Sequence, residues 1–328
     1  MISILSPDGP YKVVTQEEWW SDSFDATHYA AGYDPTTDFF SQMKSLNLRV
    51  PHQPLASINA ENSDYVNFAI NVKDCYLVYG TVDAEGCLYC KAVSSGKDVL
   101  DGLALRKCDL CYEGIASEGC YECSHFTDCK SCTNCFFIEA CESCKNCALC
   151  FGLHRKEYHI LNKPVSKAAY EAFIATETKS RSKVKLLKQK FEEFSSTFPR
   201  KASYIQQSEN CSGNFIANSR NCHYAFDVTN CDESKFIFWV PNSISSHDCS
   251  FGAPVGVELC YQTCSTMSTR SMGTFLNWYN DRVFYSIECH KSKNLLGCIG
   301  LKSIAFSINS IPNLVHQPCS THRVRTSV

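Results

Sequence analysis

The cysteines between Cys87 and Cys150 recur in a fixed register, and that register limits what the chain can fold into. In rows of 21, one row starts at Cys87 (CLYCKAVSSGKDVLDGLALRK), the next at Cys108 (CDLCYEGIASEGCYECSHFTD), the next at Cys129 (CKSCTNCFFIEACESCKNCAL), and Cys150 opens a fourth. Cys90, Cys111 and Cys132 share a column, Cys120 lies over Cys141, and Cys123 lies over Cys144. A period near 20 residues marks a stacked repeat whose units bury their faces only against neighbours. The dense leucine pattern of a leucine-rich repeat is missing. The rows hold short apolar runs such as CYLVY at 75–79, separated by Gly, Asp, Asn and Ser. Val66, Phe68, Ile70 and Val72 alternate with the period of a strand. The pattern predicts a mainly β chain, a parallel β-helix (β-solenoid) with 21-residue coils. Columns of like residues would then form ladders inside the coil, stacked about 4.8 Å apart.

Residues 1–57 stand outside the register and are rich in aromatics, Trp19, Trp20, Phe24 and Phe40 among them. Thr37 is placed to cap a short helix carrying Phe40, Met43 and Leu46. The segment reads as an N-terminal cap over an open solenoid end, with a binding platform on Trp19 and Trp20 as the rival reading. Residues 58–163 form the first solenoid half. Residues 164–202 predict a helical hairpin insertion, with Ser166 capping a helix that carries Tyr170 and Phe173. Ser182 is expected to cap a second helix, which carries Val184, Leu187, Phe191 and Phe194. Residues 203–312 repeat the first half. KDC at 73–75 recurs as RNC at 220–222, LCY at 110–112 as LCY at 259–261, and NCALCFGL at 146–153 as NLLGCIGL at 294–301. The solenoid is therefore duplicated, and 313–328 is a polar C-terminal tail.

The chain carries 23 cysteines, an odd number that excludes complete internal pairing. Its start (MISILSPDGPYK) lacks the basic and apolar stretches of a signal peptide, and no run approaches the roughly 18 apolar residues of a membrane helix. These features predict a cytoplasmic location, reduced thiols and no membrane contact. Two readings of the thiols follow. In one, cysteine is a small buried apolar side chain suited to a narrow coil. In the other, Cys108 and Cys111 lie one coil below Cys129 and Cys132, and Cys120 and Cys123 one coil below Cys141 and Cys144. Those eight thiols would form ligand sets for zinc or, as the lesser option, an iron–sulfur cluster. Tetrahedral zinc needs sulfurs about 3.8 Å apart, so the side chains would have to converge, and each Cys-x-x-Cys would have to straddle a corner. The second half keeps Cys222, Cys260, Cys289 and Cys298 but has Ser292 and Leu295 at the places of Cys144 and Cys147, which favours packing.

A net charge of −3 makes no global case for nucleic acid. Lys179, Arg181, Lys183, Lys185, Lys188 and Lys190 form one basic stretch able to make a weak phosphate contact. Asp98, Asp101 and Asp109 are the residue type that a carbohydrate-active β-helix would pair for glycoside cleavage. No nucleophile elbow, phosphate-binding loop or dinucleotide fingerprint is found. The reading is thus a non-enzymatic solenoid scaffold or binding protein with stacked buried cysteines, serving an unknown protein partner or self-association. A metalloprotein using the stacked pairs is the first alternative, and a carbohydrate-active enzyme the second.

The opening (ISILSPDGPYKVVTQEEWWSD), the step into the repeats (INAENSDYVNFAINVKDCYLVYG) and the junction (CKNCALCFGLHRKEYHILNKPVSKAAYEAF) resemble a family of cysteine-rich repeat proteins common in candidate-phyla bacteria. The resemblance spans residues 2–312. Some members carry a CoA-transferase label that these motifs do not support, and the resemblance implies no substrate.

Overall fold

The protein is described by a computed structural model covering residues 3–252, 256–264, 267–308 and 311–312, so the tail at 313–328 lies outside the described residues. It is mainly β, with parallel sheets and a few helices. It divides into two compact units. One is Leu55–Arg200; the other joins the residues up to Pro54 to those from Lys201 onward.

In Leu55–Arg200 a 12-stranded sheet runs from Ser57–Glu61 to Lys163–Pro164. Every pairing is parallel except the last, where Lys163–Pro164 turns back on Glu157–Ile160. The pairing step is constant: Ser57 lies against Ala69, Ile70 against Val82, Lys91 against Leu103, Tyr112 against Ser124 and Lys145 against Glu157. The physical rung is therefore 12 residues long, and the expected 21-residue coil is wrong.

The reason lies in a pattern of threes. Val66, Ala69, Val72, Cys75 and Val78 are buried, each three residues after the last. Between them Phe68, Asn71, Asp74 and Leu77 take left-handed φ values of 52°, 53°, 52° and 54°. Each triplet thus holds an inward residue, an outward residue and a left-handed residue that turns the chain, and four triplets span one pairing step. The two-residue alternation expected from Val66, Phe68, Ile70 and Val72 fails, because Phe68 and Ile70 are only half-buried. A left-handed turn interrupts the extended backbone before that alternation can run.

A left-handed non-glycine residue costs about 1 kcal/mol. Hydrogen bonds to both neighbouring rungs offset the cost. The left-handed Leu77 donates its N–H back to Asp64 O (3.0 Å), and the outward Tyr76 donates forward to Cys87 O (3.0 Å). Side-chain amides stack at the turns, Asn59 donating to Asn71 (2.9 Å) and Asn71 to Asp83 (2.8 Å).

After the sheet come α3 (Lys167–Glu177) and α4 (Arg181–Ser195); α1 (Gln16–Trp20) and α2 (Phe39–Arg49) precede it in the chain. Ser166 caps α3 as expected, its hydroxyl accepting from Ala169 N–H. The other two caps sit elsewhere: Ser180, not Ser182, caps α4, and Asp38, not Thr37, caps α2. In each case the acceptor stands three residues before the N–H that it takes. Leu187 and Phe191 of α4 pack on Phe137 and Leu149, two residues at left-handed turns.

The other unit carries the second parallel sheet, of 14 strands. Most of its steps are again 12, as from His223 to Lys235 and from Asp281 to Lys293. The register slips at His247–Tyr261, a step of 14, and at Tyr261–Met272, a step of 11. It closes as the first sheet does, with Ala305–Ile308 against an antiparallel Ile311–Pro312. The N-terminal segment packs on its last rungs, where Ala26, Met43, Leu46 and Val50 share a core with Val283, Leu295, Cys298 and Leu301. Lys302 Nζ lies 4.9, 5.1 and 4.8 Å from the ring centroids of Trp19, Trp20 and Phe24, and donates to Trp19 O. Trp19 is fully buried, which rules it out as half of an exposed binding platform.

Candidate functional site

The inward position of a triplet makes a particular chemical demand. Its N–H points at the inward side chain one rung earlier. Ser117 Oγ accepts from Cys129 N–H (3.0 Å), and Ser63 Oγ from Cys75 N–H (3.0 Å). Where the earlier residue is cysteine, its sulfur takes that place: Cys231 Sγ accepts from Ser243 N–H at 3.4 Å. Cysteine is therefore a core residue that fills little space and still meets a buried N–H. Serine or asparagine does the same work in the second sheet. Ser246 accepts from Cys260, Ser286 from Cys298, and Asn277 from Cys289. The sequence called for small buried cysteines; the N–H that each must satisfy becomes visible only with the rung length.

In Leu55–Arg200 these positions concentrate into columns at 12-residue steps. Cys108, Cys120, Cys132 and Cys144 form one; Cys111, Cys123, Cys135 and Cys147 form the next; Cys75 stacks on Cys87, and Cys129 on Cys141. All are buried at 2% exposure or less, and none is in a disulfide. Each thiol donates to a main-chain carbonyl; Cys111 reaches Asp109 O (3.3 Å) or Cys120 O (3.5 Å).

The expected metal sets are rearranged. Cys108 and Cys111 stack on Cys120 and Cys123, not on Cys129 and Cys132; Cys129 and Cys132 stack on Cys141 and Cys144. Cys87, Cys108 and Cys129 fall in three different columns, because 21 residues is one rung plus three triplets. The Cys-x-x-Cys spacing is the length of one triplet, with the left-handed Leu110 and Glu122 turning the chain inside each pair. Among the described residues, no three His, Cys, Asp or Glu side chains are grouped to hold a metal ion. A straight ladder spaced at about 4.8 Å does not close to the 3.8 Å edges of a zinc tetrahedron. The straight ladder does not match four-coordinate zinc.

Ionisation of these sulfurs follows from burial and contact. Burial pushes the Cys129 thiol well above the ordinary thiol range, and does the same to Cys289. Neighbouring thiols also shift one another. The neighbouring Cys111 and Cys120 thiols lower Cys108, and Cys108 in turn raises both of them.

A second feature lies where α4 meets the sheet, in a cleft of about 470 Å³ lined by Glu113, His125, Phe137, Lys188, Phe191 and Arg200 among others. Glu113, His125 and Phe137 occupy successive left-handed turns in one column. His125 Nδ1 lies 2.7 Å from Glu113 Oε2, and the ring stacks on Phe137 at 4.3 Å and 7°. Tyr112 donates to Glu113 Oε1 (2.8 Å), and Lys188 Nζ stands 4.0 Å from Glu113. Burial holds His125 below the usual histidine range, against the pull of Glu113. Burial would raise Glu113, but hydrogen bonds from Tyr112 and His125 outweigh it and hold the carboxyl low. The neutral ring is thereby fixed as an Nδ1–H donor. The sequence reading missed this pair, whose only signal is a 12-residue separation.

The remaining candidates are scattered. Asp98 and Asp101 are exposed at two successive turns and Asp109 is an outward residue, so no two share a column. In the basic stretch Lys183 is paired with Glu177 (3.1 Å) and Lys188 faces Glu113, so two of its six charges are already engaged. No described helix is long and apolar enough to cross a membrane.

No protein-family model matches the chain, and no curated protein matches it. Among solved structures it has a likeness to a crystal structure described as a "putative acetyltransferase" from Desulfovibrio desulfuricans G20. That likeness has a TM-score of 0.15 at 11% identity, covers 76% of this chain and 65% of the other, and carries no argument about fold or function.

Proposed function

We propose that the chain is a non-enzymatic β-solenoid scaffold. Its 12-residue rungs close into successive coils around the thiol columns, and an outer face binds protein. The resemblance to the cysteine-rich repeat family belongs to the same proposal and supplies a fold expectation without a substrate. Buried, unbridged thiols suit a reducing compartment such as the cytoplasm.

One observation carries the binding role. Tyr76, Leu88, Leu100 and Tyr112 are outward residues of one column, rung upon rung, and each is 37% exposed. Tyr65, Leu77 and Tyr89 line the adjacent turn and are still more open. Ring contacts of 5.2 Å (Tyr65–Tyr76) and 5.7 Å (Tyr76–Tyr89) join the two rows into one apolar strip. Contiguous strips of this kind mark interaction surfaces on proteins that are otherwise soluble. A second copy is the partner to test first. Sedimentation equilibrium should give self-association for the wild type and a monomer for Leu88→Lys/Leu100→Lys, with unchanged circular dichroism. A wild type that stays monomeric across the concentration range would count against self-association through this strip.

A further inference from the structure

We propose that the stacked thiol pairs of Leu55–Arg200 hold Cu(I), each ion lying between two rungs and bound by two sulfurs only. The inference is independent of the scaffold reading.

Geometry separates this site from the zinc site that the chain does not fit. Two metal–sulfur bonds no longer than the roughly 2.3 Å of zinc thiolate, laid end to end, span up to about 4.6 Å. Adjacent rungs are about 4.8 Å apart. A column of thiols is therefore too open for a tetrahedron and matched to a linear pair. Two donors suffice for such an ion, so the lack of any group of three among the described residues is consistent with it. Thiolate is a soft ligand and selects Cu(I) over harder cations.

The charge is also provided for. When a pair loads, two S–H bonds break, two Cu–S bonds form, and two protons leave to solvent; copper keeps its oxidation state. The bound pair carries one negative charge. Sulfurs of these columns already have a main-chain N–H directed at them from 12 residues on, as Cys120 N–H is toward Cys108 and Cys132 N–H toward Cys120. The protein thus presents fixed donors to the two atoms that become anionic, and no countercharge has to enter the core.

The second sheet is the internal comparison. Its inward cysteines stand mostly alone in their columns. Cys231 lies between Ser219 and Ser243, and Cys289 one rung after Asn277. Among the described residues the sheet holds one stacked pair, Cys211 on Cys222, and packs elsewhere without stacked thiols, so packing does not require columns of them. The concentration of pairs in Leu55–Arg200 is what a second use of the sulfur would leave. Because these thiols are at most 2% exposed, the ion is taken up while the rungs form and is released slowly afterwards.

The test is to refold the reduced, denatured full chain anaerobically with Cu(I) supplied as its acetonitrile complex. Metal content and X-ray absorption are then measured. Six separate pairs (75/87, 108/120, 132/144, 111/123, 135/147 and 129/141) set the ceiling at six ions in this unit. Two sulfurs per copper are expected, with retention against a Cu(I) chelator lasting far longer than that of copper added after folding. Cys120→Ser/Cys132→Ser breaks both pairs of one column and should lose two ions. Serine already stands inward at Ser117 and Ser246, so the variant retains the rung, and circular dichroism checks this. Should it not fold, Cys129→Ser alone should lose one ion. Cys289→Ser should lose none. Three or four sulfurs per copper, an unchanged count in the column variant, or loss in Cys289→Ser overturns the proposal.

Discussion

Gly114→Ala probes the 12-residue rung directly. Gly102, Gly114 and Phe126 occupy one inward column, and the Phe126 ring fills the room that the glycine leaves. A Cβ on Gly114 would stand 2.4 Å from Phe126 Cζ, with Cε1 and Cε2 at 2.7 and 3.0 Å. Phe126 is 1% exposed, and Ile138 fills the next rung at 0%, so the ring has nowhere to go. Overpacking of this kind costs about 1–3 kcal/mol. The stiffer unfolded chain returns about 0.4–1 kcal/mol, because Gly114 is not in a left-handed conformation. A net loss of about 1–2 kcal/mol is expected. In a Phe126→Leu background the methyl has space, and the same substitution should be neutral or mildly stabilising. That difference is a coupling of about 1–2 kcal/mol between residues 12 apart. Urea midpoints at constant slope measure all four corners of the cycle. Additive effects, or a Gly114→Ala change within about 0.5 kcal/mol, would refute the stacking. A 21-residue rung would couple residue 114 to Val93 and Cys135 instead.

Further outcomes are expected. Burial would lower His52, but Glu288 at 3.1 Å raises its pKa above the ordinary 6.5. A raised folded pKa gives stability that is complete below pH 6.5 and lost as pH rises through the folded value. Hydrogen-exchange protection factors in Phe39–Arg49, corrected for the intrinsic rise of exchange with pH, should therefore fall from pH 6 to pH 8, and pH-independent protection would remove His52 as the cause. His125 has the opposite sign: its folded pKa is depressed, so its stability is present above pH 6.5 and lost as pH falls through the folded value. Glu113→Gln should move the His125 titration, followed by NMR, further down; an upward move would contradict the assignment of Glu113 as its partner. Among the described cysteines, Cys211 and Cys264 are the half-exposed ones. Native iodoacetamide should reach these two before any column cysteine, read by peptide mass; early labelling of Cys123 or Cys132 would show the columns to be open.

The mainly β character and the presence of a few helices were legible from residue patterns. The rung length was not. Cysteine identity repeats every 21 residues, and 21 is seven triplets, so each cysteine of that series lands inward and the series looks like a single column. Stacking is set instead by how many turns close a rung, and the left-handed turns fall on residues as different as Phe68, Leu77, Tyr89 and His125. No residue type announces them. The same mismatch made Cys-x-x-Cys read as a metal motif when it is the distance between inward positions. The Glu113–His125 pair was hidden for the same reason: nothing connects the two residues until the rung places one upon the other.

The docking of the N-terminal segment has a consequence for biosynthesis. Within each sheet a new rung needs only its immediate predecessor, so assembly can follow the chain as it leaves the ribosome. The segment ending at Pro54 has no such freedom. His52 meets Glu288 236 residues later, and Trp19 meets Lys302 283 residues later. That segment is thus made well before the rungs that seat it, and Trp19 and Leu46 wait without that cover until the stretch around Lys302 has been made.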